Sequence, residues 1–254
     1  MRTTFTFIVL LFIGNLLIAE TPNTFEERLK NTEVAPAQIL VFTKTMGYRH
    51  KSIEKGVKTL KNLGKTNDFE ITQTEDSLQF NDENLKKYQL VIFLSTTMDV
   101  LGAEGEKALE KFINGGGSFM GIHAAADTEY DWPWYGKLVG AYFESHPNDP
   151  NVREAQMNVV DKNHPSTSHL SDTWIRTDEW YNYKNINPDL KVLIFLDETS
   201  YEGGTNDDFH PIAWYHELDG GRAFYTGGGH TKESFDEPAF QKHILGGIDY
   251  CLGR

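Results

Sequence analysis

The sequence predicts a three-layer α/β domain whose mostly parallel sheet is covered on both faces and carries an antiparallel edge. Three observations lead there. Ile39-Leu40-Val41-Phe42, Leu90-Val91-Ile92-Phe93-Leu94 and Val192-Leu193-Ile194-Phe195-Leu196 are unbroken apolar runs, the pattern of strands buried on both faces. Helical patterns lie between strands, which implies parallel pairing through crossovers. Finally, Asp219-Gly220-Gly221 separates Ala213-Trp214-Tyr215 from Ala223-Phe224-Tyr225, a hairpin signal that places antiparallel strands in the same sheet.

Taken in order, the chain opens with Arg2, an apolar run from Phe5 to Ile18, and the small residue Ala19 before Glu20. That is the order of a secretory signal peptide, and the run is short for a membrane span, which needs about 20 apolar residues. The expectation is a leader over 1–19, a flexible lead over 20–36 and one domain over 37–254. Export to the periplasm or the medium follows, with no stable membrane insertion once the leader is cleaved. The first strand leads to a helix in which Ile53, Val57, Leu60 and Leu63 share a face and Gly64 supplies the stop. Ala108, Phe112 and Ile113 mark a second helix ending at Gly115-Gly116-Gly117, and Phe240, Ile244, Ile248 and Leu252 a closing one. Trp174 to Tyr183 and Ile212 to Tyr225 read as strands.

Composition narrows the function. The formal net charge of −13 repels phosphate backbones and anionic lipid, so nucleic acid is not an expected partner. Cys251 is the single cysteine, which excludes intrachain disulfides and CxxC metal knuckles. Aromatic residues make up 13% of the chain, with five Trp, a supply suited to stacking on sugar rings as well as to core packing.

Open α/β sheets place their sites outside the carboxyl ends of the strands. There, Ser118-Phe119-Met120 runs into Gly121-Ile122-His123-Ala124-Ala125-Ala126. Small residues around one polar side chain at a strand-to-helix turn are what a nucleophile elbow requires, and His123 occupies its centre. A helix N-terminus beside it would favour an anion.

The segment from Gly115 to Ala126 resembles the central motif of ThuA-like, or trehalose-utilisation, domains. Gly47-Tyr48-Arg49-His50, Phe143-Glu144-Ser145-His146-Pro147, Asp178-Glu179-Trp180-Tyr181, Gly220-Gly221-Arg222-Ala223-Phe224-Tyr225 and Gly228-Gly229-His230 agree with it in order. The resemblance implies a flavodoxin-like, class I glutamine-amidotransferase-like fold and a link to carbohydrate metabolism, some members acting on oxidised (3-keto) glycosides.

Each residue also has a reading of its own. His50 follows the first strand, and Arg49 beside it could bind a carboxylate or sugar hydroxyls, or form a surface ion pair. His146 precedes Pro147, which fixes an extended backbone, whereas His164-Pro165 reads as a loop turn. Asp178 and Glu179 are neighbours on a strand and point to opposite faces, with Glu179 expected inward beside Tyr181. His230 follows Gly227-Gly228-Gly229, whose freedom lets the backbone approach a ligand. His210 and His216 are weaker candidates.

Two chemistries fit this set. His50, His123, His146 and His230 with a carboxylate suit a divalent metal that polarises a carbonyl or activates water. Alternatively, a histidine and Glu179 exchange protons with a sugar carbon or hydroxyl without metal. His123, Glu179, His230 and His50 are thus the expected catalytic residues, and Arg49, Tyr181, Trp134 and His146 the expected binding residues for a small-molecule carbohydrate. The rival is a sugar-binding module without turnover, using Trp132, Trp134, Tyr181 and Trp214 as platforms. Glutamine hydrolysis is disfavoured because Cys251 lies far from the elbow.

Overall fold

The computed structural model describes residues 35–254. The expected leader and all but the end of the flexible lead therefore lie outside the described residues. Among the described residues, no helix is long and apolar enough to cross a membrane.

Nine strands form one mixed sheet. Its parallel half contains β1 (Ala37–Phe42), β2 (Phe69–Thr74), β3 (Leu90–Leu94) and β4 (Ser118–Ile122). A two-stranded ribbon stands apart, made of β5 (Tyr142–Ser145) and β8 (Asn182–Lys184). The antiparallel half contains β6 (Val152–Val159), β7 (Thr173–Glu179), β9 (Lys191–Leu196) and β10 (Pro211–Leu218). β11 (Gly221–Thr226) joins the halves, parallel to β4 and antiparallel to β10, in the order β2-β1-β3-β4-β11-β10-β9-β6-β7. The antiparallel part is thus four strands wide rather than a single edge.

The expected hairpin is present: Asp219 and Gly220 both have positive φ, 51° and 94°, as a two-residue loop of the primed type requires. Trp174 to Tyr183 is not one strand. β7 ends at Glu179, the chain turns through Trp180 and Tyr181, and β8 begins at Asn182.

Among the described residues the α-helices are α1 (Ile53–Gly64), α2 (Asp82–Leu85), α3 (Ala103–Asn114), α4 (Pro133–Val139) and α5 (Pro238–Leu252). Residue alternation along the strands sorts them into layers. Leu94 meets α1 at Gly56, and Phe224 meets α5 at Gly247. On the opposite face Phe93 and Phe119 pack against Tyr135 of α4, at ring-centroid distances of 5.7 and 5.9 Å.

The antiparallel half does not lie flat. Strands sit about 4.8 Å apart, so the end of β7, four places from β11, would lie roughly 19 Å away in a plane. Yet the Asp178 carboxylate of β7 is 2.8 Å from the amide of Gly229, just past β11. The sheet must curl to bring them together, and register shifts between β10 and β9 at Pro211–Trp214 supply local bending.

The core also holds a histidine outside the motifs singled out from the sequence. His243 of α5 is 1% exposed. Its Nδ1–H donates to Ser166 O at 3.0 Å and its Nε2 accepts from Thr226 Oγ1 at 3.1 Å, so the neutral ring is fully paired. Burial pushes its pKa down from 6.5 to about 3. The unfolded chain takes up a proton near 6.5 that the folded chain refuses, so this group's stability contribution falls as pH drops through that window. From pH 6.5 to 5 the loss should be about 2 kcal/mol. Denaturant unfolding of wild type and His243→Gln at both pH values should show a shallower decline in the variant; equal declines would contradict the assignment.

Candidate functional site

Four chain segments deliver one polar cluster to the carboxyl ends of the parallel strands. β1 leads to His50, β4 to His123, β11 to His230, and β7 ends on Glu179. His50, His123 and Glu179 are buried and His230 is largely so. One side-chain donor atom from each lies within 4.8 Å of the others.

His123 adopts φ 52°, a left-handed conformation that costs energy for a residue with a Cβ. Its surroundings enforce it. Tyr225 Oη donates to the His123 carbonyl at 2.7 Å, and a Cβ at Gly121 would come within 2.9 Å of Tyr225 Cδ2 and 3.1 Å of Ala125 Cβ. The elbow is therefore real, but the expected helix is absent: residues His123–Asp127 form a single 3-10 turn. The tight turn around Ala124-Ala125-Ala126 never reaches α-helical length, so the helix-dipole argument does not apply there.

Ring orientation follows from hydrogen bonding. His123 Nδ1 donates to Gly227 O at 2.8 Å, which leaves the Nε2 lone pair facing the cluster in the neutral ring. Nε2 lies 3.3 Å from Glu179 Oε2 and 3.3 Å from His230 Nδ1, while His230 Nδ1 is 2.9 Å from the same carboxylate oxygen. A proton on His230 Nδ1 serves both acceptors at once. His50 completes the ring cluster, edge-on to His123 at 4.8 Å and to His230 at 5.0 Å between centroids. Its Nδ1 is buried without a hydrogen-bond partner.

The electrostatics are correspondingly lopsided. Burial, then the neighbouring imidazoles, pushes His50 down to about 2 despite the pull of Glu179, so the His50 ring is held neutral. Burial opposes ionisation of Glu179, but the adjoining His123 and His230 imidazoles, within 3.3 Å of its Oε2, outweigh it and hold the carboxyl below the usual range. Glu179 is thus the cluster's anion. Its other oxygen accepts from Asn151 Nδ2 at 2.9 Å and faces His146 Nε2 at 3.8 Å. Tyr181 lies over His123 at 4.3 Å, and burial keeps its phenol protonated, well above its ordinary pKa.

Two expected binding residues, Arg49 and Trp134, and the rival reading's Trp214 are engaged in other contacts. Arg49 forms a surface ion pair, with guanidinium nitrogens 2.9 Å from Glu54 and 2.9 Å from Glu75. Trp134 Nε1 donates to Asp219 at 2.9 Å in the β10–β11 turn. That turn is at the amino end of β11 and hence of β4, the far end of the sheet from His123. Trp214 is fully buried and donates to Val139 O at 2.9 Å. The aromatic platform of the binding-module reading is therefore not assembled. Cys251 Sγ faces Phe119 O from α5, with burial raising its thiol pKa, and is no nucleophile.

Sequence reasoning left one group out and gave another too small a part. Asn151 precedes β6 and carries no motif. Asp178, expected only on the face opposite Glu179, is the more consequential. Its carboxylate accepts from the amides of Glu179 (3.0 Å), Gly229 (2.8 Å), His230 (3.1 Å) and Thr231 (3.3 Å), and from Ser234 Oγ (2.7 Å). Arg176 Nη2 stands 3.5 Å away. Asp178 thereby fixes the loop that carries His230. Asp178→Ala should cost about 3–5 kcal/mol, because it orphans several buried amides and leaves buried Arg176 with Glu237 as its one carboxylate partner, and should speed hydrogen exchange at Gly229 and His230. Unchanged exchange protection there would refute this role.

A family model described as ThuA, Trehalose utilisation, matches residues 38–251. Among solved structures, a ThuA-like protein from Bacteroides uniformis superposes with a TM-score of 0.70 at 22% identity, over 87% of this chain and 93% of that one. A ThuA-like protein from Parabacteroides merdae gives 0.70 at 19% identity, over 86% and 91%. A β-galactosidase from Bacillus circulans shares the fold at 12% identity and a TM-score of 0.57, with 85% of this chain aligned to 31% of that one. No curated protein matches. With its elbow, its mixed sheet and the family match over nearly its whole described length, the chain belongs to the ThuA family.

Proposed function

We propose that this chain is an exported carbohydrate-active enzyme that works on a glycoside or its 3-keto derivative at a divalent-cation centre formed by His50, His123, Glu179 and His230. The observation that carries the reading is the convergence of these donors with the His123 tautomer already set. A ring nitrogen tied to a backbone carbonyl, with its opposite lone pair aimed into a carboxylate-bearing cluster, is the arrangement that metal-ligating histidines adopt. The buried, unpartnered Nδ1 of His50 would cost about 1–3 kcal/mol if it stayed unsatisfied, and a neutral imidazole beside an ionised carboxylate suits zinc or a similar ion.

A bound ion would supply Lewis acidity toward a carbonyl or hydroxyl oxygen. The side chains account for the rest. Glu179 carries the negative charge that balances a cation. His146 is 28% exposed and faces the carboxylate oxygen turned away from the other histidines, so it can exchange a proton with a sugar carbon or hydroxyl. A 3-keto group acidifies the adjacent C–H bond, which brings that step within reach of a mild base. The Tyr181 phenol, kept protonated, donates a hydrogen bond toward a substrate oxygen and walls one side of the site.

Turnover on a panel of 3-keto-glycosides tests this, using chelated protein and protein reloaded with zinc or manganese. Activity should require reloading, and His123→Ala and Glu179→Gln should lower kcat by about 10²–10⁴-fold with the fold intact. Undiminished turnover after chelation would retire the metal centre in favour of acid–base chemistry alone. Normal turnover by folded His123→Ala would overturn the site itself.

A further inference from the structure

Two loops at the carboxyl edge expose apolar side chains that isolated folding does not require. Met46 is 62% exposed, Tyr48 59% and Met98 45%. Singly exposed apolar residues are ordinary on protein surfaces, but these three adjoin one another. A Cβ placed on Gly47 would lie 2.9 Å from Met98 Cγ, so the Met98 side chain rests on the backbone between Met46 and Tyr48. The Tyr48 ring then meets His50 edge-on at 4.9 Å, which makes the patch continuous with the histidine cluster.

This rim is built in advance. Met46 N donates to Thr97 O at 3.0 Å and Gly47 N to Thr97 Oγ1 at 3.1 Å, knitting the loop after β1 to the loop after β3. Met98 N donates to Asp127 O at 2.7 Å and Met98 O accepts from Glu129 N at 3.2 Å, tying the second loop to the turn that follows His123. Met98 is held at φ 64°, a conformation that non-glycine residues keep where the surroundings impose it and where sites lie.

Resting on the carbohydrate reading of the histidine cluster, we infer that Met46, Tyr48 and Met98 form a subsite for a neutral apolar substituent, an aryl or branched alkyl aglycone, on the glycoside bound there. Charge decides against an anionic group, since Arg49 next to Tyr48 is already paired with Glu54 and Glu75. Chemistry decides for an apolar one: a tyrosine face stacks on rings, and flexible, polarizable methionines adapt to partners of varied shape. Size favours a small-molecule group over a protein, because three side chains fall far short of the roughly 800 Å² per partner that a stable protein interface buries.

Calorimetric titration of the metal-reloaded protein with phenyl and methyl 3-keto-β-glucosides tests the inference. The phenyl compound should bind about tenfold more tightly. In Tyr48→Ala/Met98→Ala the preference should shrink to within about twofold, while Ile175→Ala, an exposed apolar position on β7, should keep it. Equal affinity of wild type for both glycosides, or a preference that survives the double substitution, overturns the subsite while leaving the carbohydrate reading in place. Binding of neither glycoside overturns both.

Discussion

The Asp178 carboxylate is the interaction on which the rest of this site depends. It is wholly buried, and it faces the consecutive amides of Gly229, His230 and Thr231 with the Ser234 hydroxyl beside them. A buried carboxylate needs donors in place of its lost water, and here the donors belong to the loop after β11. Forming these bonds therefore does two things at once. It closes the curled antiparallel half of the sheet onto the parallel half, and it sets the backbone that presents His230. Glu179, the next residue on β7, is carried into the cluster by the same closure.

The left-handed His123 completes the arrangement from the other side. Its strain is opposed by Tyr225, whose hydroxyl holds the His123 carbonyl, and whose own oxygen sits 3.1 Å from that of Tyr183. Packing of β11 against β4 thus fixes both the elbow and, through Gly227, the orientation of the His123 ring. Second, third and fourth donors converge because the strands that carry them end at one edge. The cluster is a consequence of sheet topology before it is a consequence of any local motif.

This history explains what could be read directly from the residues. Buried strands are legible in their apolar runs, α1 in its helical spacing, and the β10–β11 hairpin in its Asp-Gly turn. The elbow is legible because only small residues tolerate that bend. β7 is different: its inward-facing positions are Arg176 and Asp178, both buried, so hydropathy cannot separate its core face from its surface. Its reach to Gly229 depends on curvature, which periodicity does not encode. Trp134 misled for a related reason. Its indole is expected from the sequence to be a sugar-stacking platform, whereas it anchors the start of α4 to the distal hairpin. Arg49 sits within a family motif, yet its partners Glu54 and Glu75 come from an adjacent helix and the end of β2, a pairing that only the fold reveals.

The central claim is that four donors brought together by β1, β4, β7 and β11 hold a divalent ion. Crystals grown with zinc and measured on both sides of its absorption edge address it most directly. The account predicts one anomalous difference peak, bounded by His50, His123, Glu179 and His230, that disappears in Glu179→Gln crystals of unchanged fold. Zinc-soaked crystals with no anomalous density inside the cluster, or with zinc bound only at surface histidines, would contradict it.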